Sequence, residues 1–444
     1  MAHPDSSARA RNIALELRAR GYQSFLVGGC VRDLLLGREP GDFDVATSAR
    51  PAELLAMFPG SLAAGAKFGV ILVPGDGFSV EVSTFRSDGA YLDGRRPVGV
   101  HFENSPQHDV ERRDFTINGL LMDPATNEIT DLVGGRFDLH ARIIRAIGDP
   151  FRRFEEDHLR MLRAVRFAAR LNFRIEDETY EAIRESAAAI ERIAVERVRA
   201  ELERILTEGG ARRGMELLSS TGLLDHILPE ASALQGVPQP PQFHPEGDVW
   251  THTLLMLDGL QSPSLELALG VLFHDIGKPS TFRIDDRIRF DGHVEAGVKI
   301  ARAALSRLRF SEATIRQVEA LVANHMRFIH IEDMRESTLR RFFRLDRFEE
   351  HLELHRLDCV SSHGGLRSYH FARSRFLAMP PDVRKPPRLV TGNDLIAAGY
   401  LPGPEFQKML NAAEDAQLEG RLASRAGALA FLEREFGPPA PPKC

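Results

Sequence analysis

Residues 28–48, GGCVRDLLLGREPGDFDVATS, constrain the fold more strongly than any other stretch of the chain. A short apolar run leads into Gly28 and Gly29, and residues 31–36 then have the pattern of a helix. Glycines between a strand and a helix let backbone amides approach a phosphate closely, and Arg32 adds a cation in the first helical turn. The stretch therefore predicts a strand, a phosphate-binding turn and a helix, in that order.

Asp42 and Asp44 follow in a segment with the pattern of the next strand. Side chains alternate faces along a strand, so the two carboxylates share a face, roughly 6 to 7 Å apart, while Phe43 faces a core. Such a pair favours a cation, and Mg²⁺ prefers oxygen ligands beside substrate phosphates. Residues 78–85 also alternate, so Glu81 could join from a neighbouring strand. Metal-assisted nucleotidyl transfer is predicted; an acidic turn, or an edge-strand charge at Glu81, is the alternative.

Four motifs of the chain, taken in order, resemble those of the bacterial CCA-adding enzyme and poly(A) polymerase family. They are GGCVRD, GDFDVAT, RRDFTING at residues 112–119 and EDHLRMLRAVRFAARL at residues 156–171. The resemblance runs from about residue 25 to about residue 206 and resumes near the C-terminus. It implies the class II branch of the polymerase-beta-like nucleotidyltransferases, with an α/β (α+β) head followed by an all-α neck, an HD body and a tail.

The resemblance also implies roles for individual residues. Asp42 and Asp44 would be catalytic and hold Mg²⁺, and Glu81, a candidate from the alternation of residues 78–85, would join them in catalysis. The implied nucleotide-binding residues are Gly28, Gly29, Arg32, Arg113, Asp157, Arg160, Arg163 and Arg166.

Asp157 and Arg160 have a chemical pattern that suits the reading of a base. A helix predicted over residues 155–171 places them three residues apart on one face. A carboxylate beside a guanidinium matches cytosine and adenine, each of which presents an exocyclic amine next to a ring-nitrogen acceptor. Uracil and guanine present a carbonyl next to an N–H, so the buried polar groups would stay unpaired. An ordinary salt bridge on a solvated helix face is the alternative.

Residues 82–111 have the composition of a polar, glycine-containing loop that is too long for a plain hairpin. This segment resembles the flexible loop of family members that add the terminal A. An enzyme that adds only C residues is therefore disfavoured.

A second constellation of histidines and aspartates resembles the HD-type metal phosphohydrolases. Its members are His252, His274, Asp275, His293, His325 and Asp358. Any one of these histidines is more often a core or surface residue than a ligand, but the adjacent His-Asp pair at the end of an apolar run strengthens the pattern. Mixed imidazole and carboxylate ligands suit Mn²⁺, Fe²⁺, Co²⁺ or Ni²⁺, which activate water for attack on phosphorus.

The composition limits the class of protein. A chain of 444 residues with 43% hydrophobic residues predicts two to four domains. No apolar run approaches membrane-spanning length, residues 1–12 lack the apolar core of a signal peptide, and the three cysteines are widely spaced. We therefore predict a cytoplasmic protein without a membrane partner. The net charge of −6 means that RNA must bind at a local basic patch.

Two proline-rich breaks, at residues 237–245 and 379–387, suggest the domain boundaries. We predict a nucleotidyltransferase head at 1–150, a neck at 151–236, an HD domain at 237–378 and a tail at 379–444.

The predicted function is addition of C and A to tRNA 3′ ends from CTP and ATP, with a candidate phosphohydrolase or 2′,3′-cyclic phosphodiesterase repair activity of the HD domain. The alternatives are an A-only tRNA nucleotidyltransferase, a poly(A) polymerase, and an HD phosphohydrolase with an RNA-binding head.

Overall fold

The computed structural model describes residues 5–89 and 99–439. The chain folds into two compact units. The first contains the residues up to Ala233 together with Leu260–Leu265 and Ala303–Ser311, and the second contains Leu234–Gly259, Glu266–Arg302 and the residues from Glu312 onward. In the described part of the chain, no helix has both the length and the apolar character that crossing a membrane requires.

A mixed sheet forms the centre of the first unit. The strands before residue 142 are β1 (Ser24–Val27), β2 (Asp44–Thr47), β3 (Leu62–Gly65), β4 (Val70–Pro74), β5 (Ser79–Thr84), β6 (Arg86–Asp88), β7 (Val100–Phe102), β8 (Leu120–Met122) and β9 (Ile129–Asp131). Seven of them pair in the order β3-β4-β5-β2-β1-β8-β9. β2 and β5 run parallel, with Val45 opposite Val82, so the N-terminal ends of these two strands lie side by side.

Helices cover this sheet and connect its strands. They are α1 (Ser6–Ala19), α2 (Gly29–Leu35), α3 (Pro51–Met57), α4 (Pro106–Glu111) and α5 (Gly135–Ala141), with 3₁₀ turns at Ala66–Phe68 and Thr116–Asn118. Ile13 and Leu17 of α1 and Leu26 of β1 are fully buried, and the apolar face of α1 therefore packs into the head core.

The polar loop predicted over residues 82–111 contains regular secondary structure toward both of its ends. β5 continues to Thr84, in agreement with the alternation of residues 78–85, whereas the pairing of β6 with β7 and the helix α4 before residue 112 were not predicted. The reason is burial: Phe85 and Asp109 are fully buried, and Asp109 forms ion pairs with two neighbouring arginines. The middle of the predicted loop, residues 90–98, lies outside the described residues.

Helices follow the sheet in the first unit. They are α6 (Pro150–Glu156), α7 (Leu159–Leu171), α8 (Asp177–Ser186), α9 (Val195–Thr207), α10 (Ala211–Ser220), α11 (Leu223–Ile227) and α12 (Pro229–Ser232), with a 3₁₀ segment at Ala187–Arg192 and a short parallel pair of strands, β10 (Ile143–Ile144) and β11 (Arg174–Ile175).

The continuous helix predicted over residues 155–171 is also wrong. α6 ends at Glu156 and α7 begins at Leu159, and Asp157 between them has extended backbone with φ −150° and ψ 101°. The Oδ1 atom of Asp157 accepts a hydrogen bond from the Leu159 N–H at 3.1 Å. This carboxylate therefore caps the start of α7, which explains the interruption.

The second unit is mainly helical. Its elements are α13 (Val249–Asp258), α14 (Leu265–Phe273), α15 (Lys278–Thr281), a hairpin of β12 (Arg283–Ile284) and β13 (Ile288–Arg289), α16 (His293–Arg307), α17 (Glu312–Asn324), a 3₁₀ segment at His325–Asp333, α18 (Glu336–Phe342), α19 (Phe348–Ser361), α20 (Arg367–Leu377), α21 (Pro381–Arg384), α22 (Gly392–Ala397), α23 (Pro404–Leu418) and α24 (Arg425–Phe436). Residues 267–273 of α14 are all buried, so this helix carries His274 and Asp275 into the interior.

Candidate active sites

Three carboxylates lie at one edge of the head sheet. Asp42 lies two residues before β2, Asp44 is the first residue of β2, and Glu81 lies in the neighbouring parallel strand β5. All three line a cavity of ≈ 940 Å³ within the first unit. Burial, Asp42 and Glu81 raise the pKa of Asp44 to about 7, and burial followed by Asp42 raises the pKa of Glu81. Oxygen ligands that repel one another in this way fit a divalent cation such as Mg²⁺.

The glycine pair and Arg32 form the wall beside these carboxylates. Gly28 has φ +75°, and a Cβ atom there would lie 3.5 Å from Arg113 Nη1 and 3.8 Å from Asp44 Oδ2. Only glycine adopts this conformation readily and leaves the space open. Arg32 is buried and donates to Asp33 Oδ1 and to the Asn118 side chain, each at 2.8 Å. The result is a rigidly held cation at the cavity wall.

Arginines from α7 extend this cationic wall. The guanidinium carbons of Arg32, Arg163 and Arg166 lie 5.0, 5.4 and 4.3 Å from the ring centre of Phe167, within cation–π range. Acidic partners hold two of them in place: Arg163 Nε donates to Asp114 Oδ2 at 2.8 Å, and Arg166 Nε donates to Glu201 Oε2 at 2.6 Å.

Asp114 is one of these partners. Burial alone would raise the pKa of Asp114, but the Arg163 guanidinium and the Asn118 amide hold that pKa well below its ordinary range. The carboxylate therefore stays ionised and fixes Arg163. Asp114 lies before α5 and Arg163 lies in α7. Their ion pair therefore holds these two parts of the cavity wall together.

The structure brings Asp157 and Arg160 to the same cavity but does not pair their side chains. Asp157 forms an ion pair with Arg197 of α9 at 2.8 Å, and Arg160 forms one with Glu156 at 2.7 Å. The two groups predicted to read the base are therefore each held by a different partner.

The histidines of the second unit share one hydrogen-bonding arrangement. His274, His293 and His325 each place Nδ1 at 2.7 to 2.9 Å from a backbone carbonyl three residues earlier in the chain. Donation from Nδ1–H to a carbonyl leaves a lone pair on Nε2, which is the form of imidazole that binds a metal. Within residues 5–89 and 99–439, the Nε2 atoms of these three histidines and of His252 are buried and make no hydrogen bond of good geometry.

These nitrogen atoms converge on two aspartates. His274 Nε2 lies 3.1 Å from Asp275 Oδ2, and the Nε2 atoms of His293 and His325 each lie 3.7 Å from Asp275 Oδ1. His252 Nε2 lies 3.2 Å from Asp358 Oδ1. Buried nitrogens that lie 3.1 to 3.7 Å from carboxylate oxygens, without well-formed hydrogen bonds to them, fit a transition-metal ion with mixed nitrogen and oxygen ligands.

Protonation suits metal binding at His325 and Asp275, whereas at His252 burial alone would lower the pKa but the neighbouring Asp358 and Glu246 carboxylates raise it to about 9. Burial lowers the pKa of His325 to about 4, although Asp275 opposes the shift, so its imidazole is neutral near pH 7. Burial alone would raise the pKa of Asp275, but Lys278 and His274 hold it well below its ordinary range. The Lys278 ammonium lies 2.6 Å from Asp275 Oδ2. A neutral imidazole and an ionised carboxylate are the states that a metal requires.

Three family models match successive parts of the chain. Residues 24–145 match "Poly A polymerase head domain", residues 172–234 match "Probable RNA and SrmB- binding site of polymerase A", and residues 248–357 match "HD domain". The CCA-adding enzyme of Streptococcus mutans is 31% identical over 443 residues, which cover 98% of each chain. The chain belongs to the CCA-adding enzyme family.

Other CCA-adding enzymes match more closely over a shorter length. The enzyme of Geobacillus sp. (strain WCH70) is 46% identical over 219 residues, which are 49% of this chain and 54% of that relative. The chain thus spans about half the length of this and the other Geobacillus relatives that it matches.

Solved structures of CCA-adding enzymes resemble the whole chain. The Bacillus stearothermophilus enzyme in complex with CTP has a TM-score of 0.75 and 28% identity, with 98% of both chains covered. The Thermotoga maritima enzyme complexed with tRNA has a TM-score of 0.62 and 19% identity, which supports the fold alone. The family prediction from the four motifs is confirmed, and so are the polymerase-beta-like head with helical body and the HD domain.

Sequence reasoning missed several residues that hold the two candidate sites together. Glu201 is buried on α9 between Val198 and Leu202, and a carboxylate within an apolar helical stripe was the signal that could have revealed it. Glu246 Oε1 lies 2.7 Å from His252 Nδ1 and 2.9 Å from His244 Nδ1. His244 lies in the proline-rich break at residues 237–245, and Glu246 lies directly after it. Both were overlooked because a proline-rich break is typical of a connection between domains.

We expect Mg²⁺ binding at the head site to weaken at low pH. A proton competes with the metal for Asp44, whose pKa of about 7 lies above its ordinary value. Protonation is therefore extensive below about pH 7, and the affinity should fall about tenfold between about pH 8 and about pH 6. Calorimetric titration with Mg²⁺ across this range would measure the change. An affinity that stays constant down to about pH 5 would contradict the expected protonation of Asp44.

Proposed function

We propose that the protein adds C and A residues to the 3′ end of tRNA, using CTP and ATP. The observation that carries the proposal is a single cavity lined by the carboxylates Asp42, Asp44 and Glu81, by the buried cation Arg32 and by the pair of base-reading candidates. Metal ligands, a phosphate-binding group and a base-reading surface in one cavity are the parts that nucleotide transfer requires. Full-length membership of the CCA-adding family supports the choice of tRNA as the acceptor.

The chemistry assigned to the head site is an in-line displacement. The 3′-hydroxyl oxygen of tRNA forms a bond to the α-phosphorus of the nucleotide, the bond to the bridging oxygen breaks, and pyrophosphate leaves. Asp42 and Asp44 would hold Mg²⁺, which stabilises charge on the phosphates. Arg32 binds the triphosphate, and Gly28 with Gly29 leaves room for it. Arg113, fixed by Asp109 at 3.1 Å, would contact the nucleotide beside the carboxylates.

Base selection is assigned to Asp157 and Arg160. A carboxylate accepts from the exocyclic amine of cytosine or adenine, and a guanidinium donates to the adjacent ring nitrogen. Uracil and guanine present a carbonyl and an N–H at these positions, so the same groups would be left unpaired. The protein thereby takes the place of a nucleic-acid template.

The decisive experiment uses tRNAs that end before CCA, after C and after CC. Each is incubated with the protein and one nucleotide at a time, and the 3′ ends are sequenced. We expect C on the first two substrates and A on the third. Addition of A alone to the CC-ended tRNA would identify an A-only enzyme, and repeated A addition to unrelated RNA would identify a poly(A) polymerase. The cytoplasm, where tRNA and both nucleotides occur, is the proposed compartment.

A second activity is proposed for the HD site: hydrolysis of phosphate monoesters or 2′,3′-cyclic phosphates at RNA 3′ ends. The four buried Nε2 atoms beside the Asp275 and Asp358 carboxylates favour it. The residues that would hold Mn²⁺, Fe²⁺, Co²⁺ or Ni²⁺ are His252, His274, Asp275, His293, His325 and Asp358. A bound transition metal supplies activated water, and Lys278 lies where it could orient a phosphate. Removing a blocking phosphate would leave a free 3′-hydroxyl, which is the acceptor that the head site needs.

We expect Asp157→Asn to relax nucleotide selection. The amide loses the charge of the carboxylate and can present an N–H group to a carbonyl of uracil or guanine. Loss of a buried hydrogen bond costs about 1 to 3 kcal/mol, so kcat/KM for CTP and ATP should fall roughly ten- to a hundredfold, with a smaller fall for UTP and GTP. Single-nucleotide addition kinetics with all four nucleotides would test this.

The matched control for this prediction is Asp177→Asn. Asp177 also lies at the start of a helix, but its side chain is 96% exposed and pairs only loosely with Arg174. This variant should retain wild-type kinetics. An equal loss for all four nucleotides in Asp157→Asn would show that Asp157 supports the fold without reading the base.

A further inference from the structure

We propose that Arg197 is a positioning residue for nucleotide selection, because it fixes the Asp157 carboxylate in the orientation that reads the base. The inference rests on the nucleotide addition proposed above. Arg197 lies in α9, and Asp157 lies 40 residues earlier in the break between α6 and α7. Both side chains line the head cavity.

The contact between them is a two-pronged hydrogen bond. Arg197 Nη1 donates to Asp157 Oδ1 at 3.2 Å, and Arg197 Nη2 donates to Oδ2 at 2.8 Å. The fork of a guanidinium matches a carboxylate in this geometry and fixes its plane. Oδ1 also accepts from the Leu159 N–H. Among the residues that the structure describes, Oδ2 accepts only from Arg197, so it retains a lone pair for the amine of an incoming base.

Arg160 is anchored by a separate set of groups. Its Nη1 donates to Glu156 Oε2 at 2.7 Å and to the Arg153 carbonyl at 3.0 Å, and its Nη2 donates to the Arg112 carbonyl at 2.9 Å. Selection by two groups requires that the distance and angle between them stay constant. The orientation of Arg160 is fixed without Arg197, whereas that of Asp157 depends on it.

The local backbone explains why Asp157 needs this partner. It has extended backbone outside both helices, and its side chain is 18% exposed. Rotation about the terminal bond of a carboxylate meets only a low barrier, because such torsions are broad. Without the fork, the carboxylate could turn away from the base or share its oxygens with water. Discrimination against uracil and guanine would then weaken, since it depends on polar atoms left without partners.

Arg197→Lys tests the inference because lysine keeps the charge but lacks the fork. The measurement is kcat/KM for CTP and for UTP on a tRNA that ends before CCA. We expect the ratio of the two values to fall about tenfold, the effect of one lost orienting hydrogen bond. The matched control is Arg184→Lys on α8, where the arginine is 53% exposed and pairs with Glu181. The control should keep the wild-type ratio and melting temperature.

A double-mutant cycle separates positioning from a general structural role. If Arg197 acts through Asp157, adding Arg197→Lys to Asp157→Asn should change the CTP to UTP ratio by less than about twofold. Independent, multiplying effects of the two substitutions would overturn the inference. Arg197→Gln replaces the lysine variant in the same cycle if the latter does not fold.

The wild-type measurement distinguishes a failure of the proposed function from a failure of the role proposed for Arg197. A wild type that adds neither C nor A contradicts the proposed function itself. A wild type that selects C and A, together with an Arg197→Lys variant of unchanged ratio, overturns only the role of Arg197.

Discussion

Asp44→Asn should lower nucleotide addition about a thousandfold or more and yet leave the metal-free protein at least as stable as the wild type. Metal stabilisation of charge in the transition state contributes several kcal/mol, and each 1.4 kcal/mol corresponds to about tenfold in rate. The stability expectation follows from repulsion: burial, Asp42 and Glu81 raise the pKa of Asp44 to about 7. An uncharged amide removes that repulsion. Function and stability should therefore change in opposite directions.

The gain in stability should depend on pH with a defined sign. A raised pKa means that the folded protein resists ionisation of Asp44. The penalty is absent below the ordinary aspartate pKa of about 4 and is complete above about 7. Measured in the presence of a chelator, the free energy of unfolding of Asp44→Asn should match that of the wild type near pH 4 and exceed it near pH 8.

Asp76→Asn is the matched control for this prediction. Asp76 is exposed in the turn between β4 and β5 of the same sheet. Its substitution should leave both single-turnover CTP addition and thermal unfolding unchanged. If Asp44→Asn kept more than about a tenth of the wild-type rate in Mg²⁺, the assignment of Asp44 as a metal ligand would be wrong.

The second large effect is expected at the HD site. The double variant His274→Ala with Asp275→Ala should lose tight binding of Ni²⁺ or Mn²⁺ and any phosphate release from blocked tRNA ends. Asp275 lies near the Nε2 atoms of three histidines, so its removal takes away the shared oxygen ligand. Nucleotide addition in Mg²⁺ should stay within about twofold of the wild type, because the head carboxylates lie in the other compact unit.

Metal binding is measured by calorimetry, and phosphate release on tRNAs with free, monophosphate and cyclic phosphate ends. The matched control is His330→Ala with Asp333→Ala, which removes an exposed histidine and aspartate from the same unit. The control should keep both metal binding and hydrolysis. Retention of tight Ni²⁺ and Mn²⁺ binding by the His274 and Asp275 variant would contradict the ligand assignment. Absence of phosphate release by the wild type with every metal would contradict the repair activity.

The grouping of the three head carboxylates was predictable because its signal is local. Alternation from residue 42 into β2 predicted that Asp42 and Asp44 share a face. Alternation along β5 directed Glu81 to the same side, and the parallel pairing of β2 and β5 brings these residues together. The histidines before and after His274 were predictable from their order and their resemblance to HD proteins.

The partners that orient these groups were not predictable in the same way. Arg197 lies 40 residues from Asp157, and Glu201 lies 35 residues from Arg166, so these contacts depend on how α9 packs against α7. The break at Asp157 was missed for a different reason. The residues around it have good helix propensity, and only the capping bond to Leu159 shows that the helix restarts there.

The hydrogen bonds of the HD histidines have a consequence for how this candidate metal site tolerates substitution. Three of the imidazoles are oriented by main-chain carbonyls, which no single substitution can delete. Only His252 takes its orientation from a side chain, that of Glu246. Substitutions around His274, His293 and His325 should therefore leave the orientation of these imidazoles unchanged. A substitution at position 246 should instead change the orientation of His252 and so the affinity of the site for a metal. Evolution can therefore change the orientation of one histidine through its side-chain partner, while the orientation of the other three depends on the main chain.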